Sequence, residues 1–192
     1  MPSGETRNRK LLCLTGFMGS GKTTVGRLLA QQLGWTFLDL DTQIEQSSGL
    51  TIPQIFERHG EPAFREMEHE ELSRGLGRIA EQNKPAVIAL GGGTIAQPRN
   101  AALLGEYGCV VVWLECPIEE LLARCATISN RPLFRDEASF RALYEQRKPF
   151  YEQAAYRVTS TGDPRRVVEQ LLALEIFDRV AACSGRVHPG HV

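Results

Sequence analysis

The sequence predicts an α/β fold in which a parallel β-sheet is covered by helices on both faces. Short apolar runs alternate with longer amphipathic segments, and this alternation is typical of right-handed β–α–β crossovers. A glycine-rich turn after the first apolar run leads directly into an amphipathic segment. At 192 residues the chain is within the usual size range of one domain. We therefore expect a single domain with a core at about residues 10–178 and flexible tails at 1–9 and 179–192.

Hydrophobic periodicity places the individual elements. The expected strands are 11–15, 36–38, 86–90, 109–114 and 156–159. Helical spacing of apolar residues occurs at Val25, Leu28, Leu29 and Leu33, and again at Ile118, Leu121, Leu122 and Cys125. Asp163 before Pro164 is a favourable N-cap and first-turn pair, which predicts a last helix.

Two segments interrupt the alternation. Residues 42–78 are mostly polar with helical character and no clear strand, which predicts an inserted helical subdomain at about 41–78. Residues 127–139 lack apolar periodicity and include Arg131 and Pro132. We expect this second segment to be a mobile loop between two helices. Beside a phosphate site such a loop is a candidate lid.

Composition limits the classes of partner. The formal net charge is −1, so no global charge favours nucleic acid or an anionic membrane surface. The apolar runs are too short to cross a bilayer, and the first ten residues lack the apolar core of a secretory signal. Five cysteines without a Cys-x-x-Cys pair argue against a disulfide framework or a zinc site. We expect a cytoplasmic monomer that acts on small molecules, without nucleic-acid or membrane partners.

The strongest motif is a phosphate-binding loop. Residues 16–23 read Gly-Phe-Met-Gly-Ser-Gly-Lys-Thr and satisfy G-x-x-x-x-G-K-[ST], between an apolar run and an amphipathic segment as the motif requires. The glycines let backbone N–H groups surround a phosphate at a helix N-terminus. Lys22 would reach the β- and γ-phosphates, and Thr23 would offer its hydroxyl to Mg²⁺. The alternative is a glycine-rich turn with no ligand. The motif predicts nucleoside triphosphate binding, without identifying the acceptor.

Carboxylates near this loop separate the possible classes of phosphate-loop protein. The third expected strand runs into Gly91 without the magnesium-holding Asp of many such proteins, and Ala86 removes the carboxylate of a guanine-binding N-K-x-D motif. Asp39 and Asp41 instead follow the second expected strand, on the same side if that strand persists. One could support Mg²⁺ while the other accepts a hydrogen bond from an acceptor hydroxyl. Alternatively, both simply end the strand and cap a helix.

Glycines and arginines are further site candidates. Gly91, Gly92 and Gly93 either let the backbone approach a ligand closely or form a flexible turn. Arg65 could pair on the surface with the glutamates at positions 61 and 68. Arg147 near Pro149, which would break or start a helix, is typical of an exposed basic residue. Arg131 could be solvated or could contact phosphates. Taken alone, each arginine is better explained by a structural role.

A resemblance to a known family adds to these interpretations. The chain contains, in order, GFMGSGKTTVGRLLA, FLDLDTQIE, FREMEHEEL, LGGGTI, NRPLF and EQRKPFY. This ordered set resembles the shikimate kinase family over residues 10–174. The resemblance implies an enzyme that transfers the γ-phosphoryl group of ATP to the 3-hydroxyl of shikimate in aromatic amino-acid biosynthesis. It also implies a P-loop fold with a five-stranded parallel sheet of order 2-3-1-4-5, a helical substrate subdomain and a lid.

The resemblance also implies a role for each site residue. The ATP phosphates would be held by Gly19, Ser20, Gly21, Lys22, Thr23 and Thr24. Mg²⁺ would be supported by Thr23 and Asp39. Shikimate would be held by Asp41, Arg65, Gly91, Gly92, Gly93 and Arg147, with Asp41 as the candidate base. Arg131 would close with the lid, and Arg124 would lie near adenine. Residues 160–163 lack the basic residue that some relatives present to adenine, so Asp163 is expected to cap a helix.

Two alternative functions remain open at this point. The first is a related small-molecule P-loop kinase, such as a gluconate kinase, which an acceptor screen would distinguish. The second is a nucleotide-binding relative that has lost catalysis. The presence of Lys22, Asp41, Arg65 and Arg147 together argues against this second alternative.

Overall fold

The predicted parallel sheet is present in the computed structural model, which describes residues 11–126 and 136–176. Its strands are β1 (Leu11–Thr15), β2 (Thr36–Asp39), β3 (Ala86–Ala89), β4 (Val110–Glu115) and β5 (Tyr156–Thr159). They are all parallel, in the order β2-β3-β1-β4-β5. The predicted fold class and strand order are therefore confirmed.

Helices cover both faces of this sheet. They are α1 (Lys22–Leu33), α2 (Leu40–Ser48), α3 (Ile52–Gln82), α4 (Pro98–Glu106), α5 (Ile118–Ala126), α6 (Glu137–Tyr151) and α7 (Pro164–Leu172). A 3₁₀ turn at Thr94–Ala96 precedes α4. No helix in the described ranges is both long and apolar enough to span a bilayer.

Strand β1 is buried on both sides because it lies at the centre of the sheet. Leu11 and Cys13 face a core that includes apolar residues of α2, α3 and α4. Leu12 and Leu14 point to the opposite core, which is completed by α1 and α7. Side chains alternate between the two faces of a strand, so a central strand of a doubly covered sheet is apolar throughout.

The glycine-rich turn has the backbone geometry that its sequence predicts. Gly19 and Gly21 have φ values of 81° and 88°, in the left-handed region that side chains with a Cβ rarely adopt. Gly21 is the N-cap of α1, so the helix begins at Lys22 directly after the loop. The positive end of the α1 dipole therefore lies at the loop.

The helical insertion consists of α2 and α3 and extends beyond the predicted residue 78, to Gln82. Thr51 and Gln54 form a capping box at the start of α3. The helix is kinked at Gly60, where φ is 76° and ψ is 173°, shortly before Pro62. This kink gives the second part of α3 its own direction, and that part carries Arg65.

Several predicted boundaries are corrected by the structure. Strand β2 ends at Asp39, so Asp41 lies in the first turn of α2 and the strand alternation proposed for the two aspartates does not apply. Asp136 caps α6, and residues 137–139 are helical instead of belonging to the loop. Pro149 lies inside the last turn of α6 and neither starts nor breaks that helix. Residues 127–135 of the predicted lid and both predicted tails lie outside the described residues.

Candidate active site

Two connected pockets lie where the carboxyl ends of β1, β2 and β3 meet, which is the usual ligand crevice of a parallel sheet. The phosphate-loop pocket has a volume of about 390 Å³ and is lined by Gly19, Gly21, Lys22, Thr23, Thr24 and Arg124, among others. The arginine pocket, of about 370 Å³, is lined by Arg65, Arg147, Gly91, Gly92 and Gly93 together with apolar side chains. Thr23, Asp39, Asp41 and Gly92 line both pockets, so a group bound in one adjoins the other.

The phosphate loop is stabilised from inside and from outside. Lys22 Nζ donates hydrogen bonds to the carbonyl oxygens of Gly16 (2.8 Å) and Phe17 (3.0 Å). Arg124 Nη1 donates to the Gly19 carbonyl at 3.1 Å, and Ser160 Oγ donates to the Ser20 carbonyl at 2.7 Å. The loop conformation is therefore fixed by α5 and by the segment after β5 before any ligand binds. The side chain of Ser20 is buried and lines neither pocket.

Asp39 caps a helix, as one of the two sequence interpretations expected, and it also contacts Thr23. Its Oδ1 accepts a hydrogen bond from the Thr42 backbone N–H at 3.2 Å and caps α2. Its Oδ2 accepts one from the Thr23 hydroxyl at 2.6 Å. A hydroxyl and a carboxylate beside a phosphate loop are oxygen ligands of the kind that Mg²⁺ uses together with substrate phosphates. The residues present therefore fit the predicted Mg²⁺.

Arg65 pairs with both glutamates, but from a buried position in the arginine pocket instead of on the surface, which corrects the sequence interpretation. The residue is only 9% exposed. Its Nη1 donates to Glu68 at 3.0 Å, and its Nη2 donates to Glu61 at 2.9 Å. The Glu68 side chain is 1% exposed and that of Glu61 is 56% exposed. Arg65 is thus held by one buried and one solvated carboxylate.

Arg147 is also buried, at 7% exposure, so the expectation of an exposed basic residue is wrong. Burial lowers its pKa from the usual value, and the positive charge of Arg65 lowers it further. A hydrogen bond and charge interaction with Tyr151 oppose this shift. Arg147 forms no ion pair with any described residue. A buried guanidinium without a paired carboxylate, close to a second one, is a favourable environment for an anion.

The three glycines form a fixed turn between these side chains. The Tyr151 hydroxyl donates a hydrogen bond to the Gly92 carbonyl, and burial raises the pKa of Tyr151 well above its usual value. None of the three glycines has a positive φ, so what they provide is space. A Cβ on Gly91 would lie 2.8 Å from Glu68 Oε1 and 3.0 Å from Asp41 Oδ1. A Cβ on Gly93 would lie 2.8 Å from Arg65 Nη2.

Some pocket residues had no distinguishing signal in the sequence. Ile52, Pro53, Phe56 and Phe64 form an apolar side of the arginine pocket, although their pattern is that of any amphipathic helix. Tyr151 could have been found because it lies four residues after Arg147 on the same helix and therefore on the same helical face. Arg131 lies outside the described residues.

Fold and loop together define the class of protein: a P-loop kinase fold with a second, arginine-lined pocket beside the phosphate loop. The sequence model of the shikimate kinase family matches residues 18–176. A shikimate kinase of Synechococcus elongatus is 39% identical over 186 residues, which cover 94% of this chain and 93% of that protein. This chain belongs to the shikimate kinase family, as its motifs predicted.

Solved structures agree with this assignment. The shikimate kinase from Acinetobacter baumannii, solved in complex with shikimate, has a TM-score of 0.79 and 37% identity, covering 95% of this chain and 97% of that one. A gluconokinase from Sinorhizobium meliloti covers 95% of this chain and 99% of its own, with a TM-score of 0.57 and 18% identity. The second likeness shows a shared fold alone.

Proposed function

We propose that this protein transfers the γ-phosphoryl group of ATP to the 3-hydroxyl of shikimate and releases ADP and shikimate 3-phosphate, a step of aromatic amino-acid and chorismate biosynthesis. The observation that carries the proposal is the pair of buried arginines beside the phosphate loop. Shikimate combines a carboxylate, which these arginines can bind, with hydroxyl groups that can extend toward the nucleotide. A pocket for a neutral polyol would not need two buried guanidinium groups.

The phosphate-loop pocket would hold ATP. Backbone N–H groups of residues 19–24 and the N-terminus of α1 would surround the phosphates. Lys22 lies over this loop and would neutralise phosphate charge. Arg124 contacts the Gly19 and Ser160 carbonyls and lines this pocket, and we propose that adenine would lie near it. Thr23 and Asp39 would support Mg²⁺, and this ion, when bound, supplies positive charge to the phosphates.

The arginine pocket would hold shikimate. Arg65 and Arg147 would bind the carboxylate between them, and the backbone at Gly92 would approach it closely because Gly92 lacks a side chain. Ile52, Pro53 and Phe56 would cover the apolar face of the ring. Asp41 lines both pockets. It would therefore contact the hydroxyl group that adjoins the nucleotide.

Positioning and charge would drive the reaction. In-line transfer requires the acceptor hydroxyl to lie next to the γ-phosphate, and two adjoining pockets provide this arrangement. Asp41 would orient that hydroxyl and accept its proton. Arg131 and the remaining lid segment at 127–135 are proposed to close over both ligands, and Arg131 is proposed to stabilise charge on the transferring group.

An assay that couples ADP release to a readout tests the function directly. Purified protein with ATP and Mg²⁺ should release ADP rapidly with shikimate, and at least about a hundredfold more slowly with gluconate or with no acceptor. Rapid release with gluconate would favour the alternative kinase. Binding of ADP without turnover of either acceptor would favour the catalytically silent alternative.

The cellular setting is proposed on composition alone. With a net charge of −1 the chain has no global attraction for nucleic acid or anionic lipid. We propose a cytoplasmic monomer with ATP and shikimate as its partners. Light scattering after size-exclusion chromatography would measure the oligomeric state.

A further inference from the structure

We infer that Thr94 is a positioning residue that orients Arg65 for the substrate carboxylate through the buried carboxylate of Glu68. The inference rests on the proposed function, since it assigns a task to a side chain behind the carboxylate subsite. Thr94 itself lines neither pocket, so it would act only through Glu68.

The contacts form a short buried chain. Thr94 Oγ1 donates a hydrogen bond of 2.7 Å to Glu68 Oε1. Arg65 Nη1 donates one of 3.0 Å to the other oxygen, Glu68 Oε2. Both Thr94 and Glu68 are 0% exposed. Each oxygen of the Glu68 carboxylate therefore has its own donor, and the plane of the carboxylate is fixed at two points.

Thr94 is in turn fixed by its own backbone. Its N–H donates to the Gly91 carbonyl at 3.3 Å, and its carbonyl accepts a hydrogen bond of 3.2 Å from Asn100 Nδ2. Asn100 is fully buried, and its Oδ1 lies 2.7 Å from His69 Nδ1. The hydroxyl thus extends from a turn that is joined to α4 and α3, so its direction is determined by the fold.

Loss of the hydroxyl would release Arg65 selectively. Glu68 Oε1 would lose its described side-chain donor in a buried site, and the carboxylate could rotate to seek another. Arg65 would then depend more on Glu61, whose side chain is 56% exposed and whose attraction is weakened by solvent. The terminal nitrogens of Arg65, which lie against Gly93, would no longer be fixed toward the subsite.

Two variants separate the effect of the Thr94 hydroxyl from that of the rest of the side chain. Thr94→Val keeps the branched shape and removes the donor, whereas Thr94→Ser keeps the donor. We expect Thr94→Val to raise the Kd and KM for shikimate about three- to tenfold, and Thr94→Ser to remain within about twofold of the parent. The KM for ATP and kcat should change less than about twofold in both variants.

The decisive comparison uses a ligand without the negative charge. Calorimetric titration with shikimate and with its carboxamide should show that Thr94→Val weakens binding of the acid more than binding of the amide, because the neutral amide cannot form the charge-assisted bidentate pair with Arg65. Equal weakening of both ligands would mean a general packing defect and would overturn the inference. An unchanged Kd for shikimate, or a Thr94→Ser variant as weak as Thr94→Val, would overturn it too.

Two further measurements keep the test independent of folding and of the proposed function. If Thr94→Val does not fold, Thr94→Ala against Thr94→Ser makes the same comparison, since those two differ by the hydroxyl alone. Failure of the parent protein to bind shikimate would contradict the proposed function. A parent that binds shikimate and a Thr94→Val variant that binds it equally well would contradict only the role of Thr94.

Discussion

The two guanidinium groups of the arginine pocket carry different amounts of unneutralised charge. Arg65 is paired with two carboxylates, whereas Arg147 forms no ion pair with the residues described and is held by the Tyr151 hydroxyl. Tyr151 and the charge of Glu61 oppose the desolvation of Arg147, but none of the described carboxylates pairs with it directly. The carboxylate of a ligand would supply the missing partner, so Arg147 should contribute more to affinity than to stability.

Arg147→Lys tests this contribution because it keeps the charge and removes the planar fork. We expect the affinity for shikimate to fall about ten- to a hundredfold, equivalent to about 1.5–3 kcal/mol. The KM for ATP should change less than about twofold, because the nucleotide is proposed to bind in the other pocket. Calorimetry with shikimate and with ADP measures both effects, and an unchanged shikimate affinity would contradict the carboxylate assignment.

The two carboxylates on Arg65 should differ in importance because they differ in exposure. Glu61→Gln affects a solvated pair, worth at most about 1 kcal/mol, so the KM for shikimate should change less than about fivefold. Glu68→Gln breaks a buried pair and should cost about 3 kcal/mol, lowering the Tm by about 6–12 °C. Thermal unfolding and steady-state kinetics of both variants test this. Equal Tm losses would show that burial does not govern the difference.

Asp41 is expected to act on the reaction more than on binding of the nucleotide. Asp41→Asn is nearly isosteric but cannot accept the hydroxyl proton, so kcat should fall about 10²- to 10⁴-fold. Binding of ADP should remain close to that of the parent, because the phosphate loop is held by other groups. Turnover near the parent level would remove Asp41 from the chemistry.

At the level of elements, α1 depends on a close approach to the sheet. A Cβ on Gly26 would lie 2.8 Å from the Phe37 ring and 3.2 Å from Leu14 Cδ1, and Leu14 is fully buried. Helix α1 can therefore contact β1 and β2 closely only with glycine at this position. Gly105 in α4 is a matched control, because its missing Cβ would meet nothing within 4 Å.

Alanine at these two positions should have opposite effects on stability. Gly26→Ala should gain about 1 kcal/mol of unfolding free energy from helix propensity and lose about 2–3 kcal/mol through overpacking. The variant should therefore be less stable than the parent. Gly105→Ala should stabilise by about 0.5–1 kcal/mol. Chemical denaturation of both variants gives the two free energies of unfolding. If both variants were more stable than the parent, the atoms around Gly26 would have moved to accommodate the added methyl group.

The sequence predicted well those elements whose structure is determined by residues within the element or next to it. The central strand is apolar because helices cover both its faces, and the left-handed glycines identify the loop before α1. The cap at Asp163 is confirmed by its hydrogen bond to the Arg165 N–H. Helix α4 was not predicted, since its nine residues contain Gly105 and few buried apolar side chains.

The burial of Arg65 and Arg147 could not be predicted from local sequence. Glu61 and Glu68 have the spacing of ordinary surface pairs, and only the tertiary position of the glycine turn encloses Glu68 and Arg65. Arg147 is buried because α6 packs with Tyr151 against that same turn. The family resemblance supplied these two residues, since periodicity alone contains no information about which polar positions a neighbouring loop will cover.

For the molecule as a whole, the two pockets are lined by different binding residues. We therefore expect each ligand to stabilise the folded protein independently of the other. Each ligand at a concentration about a hundredfold above its Kd should raise the free energy of unfolding by about 2.7 kcal/mol and the Tm by about 5–10 °C. Arg147→Lys should lose about half or more of the shift at the same shikimate concentration and keep that of ADP, and Lys22→Ala should do the reverse. Thermal unfolding measures all four shifts. Loss of both shifts in either variant would show that the pockets are not independent.

The strand order also determines when the sheet can form during synthesis. Strand β1 is made before every other described element, yet Leu11 pairs with Ala86 and Leu12 with Val110. A ribosome adding about 5–20 residues per second needs roughly 4–15 s to reach the first of these partners. Local helices form within microseconds, so α1, α2 and α3 can appear while β1 remains an unpaired apolar segment. The nascent chain therefore exposes this apolar strand for seconds, and we expect a ribosome-associated chaperone to bind it.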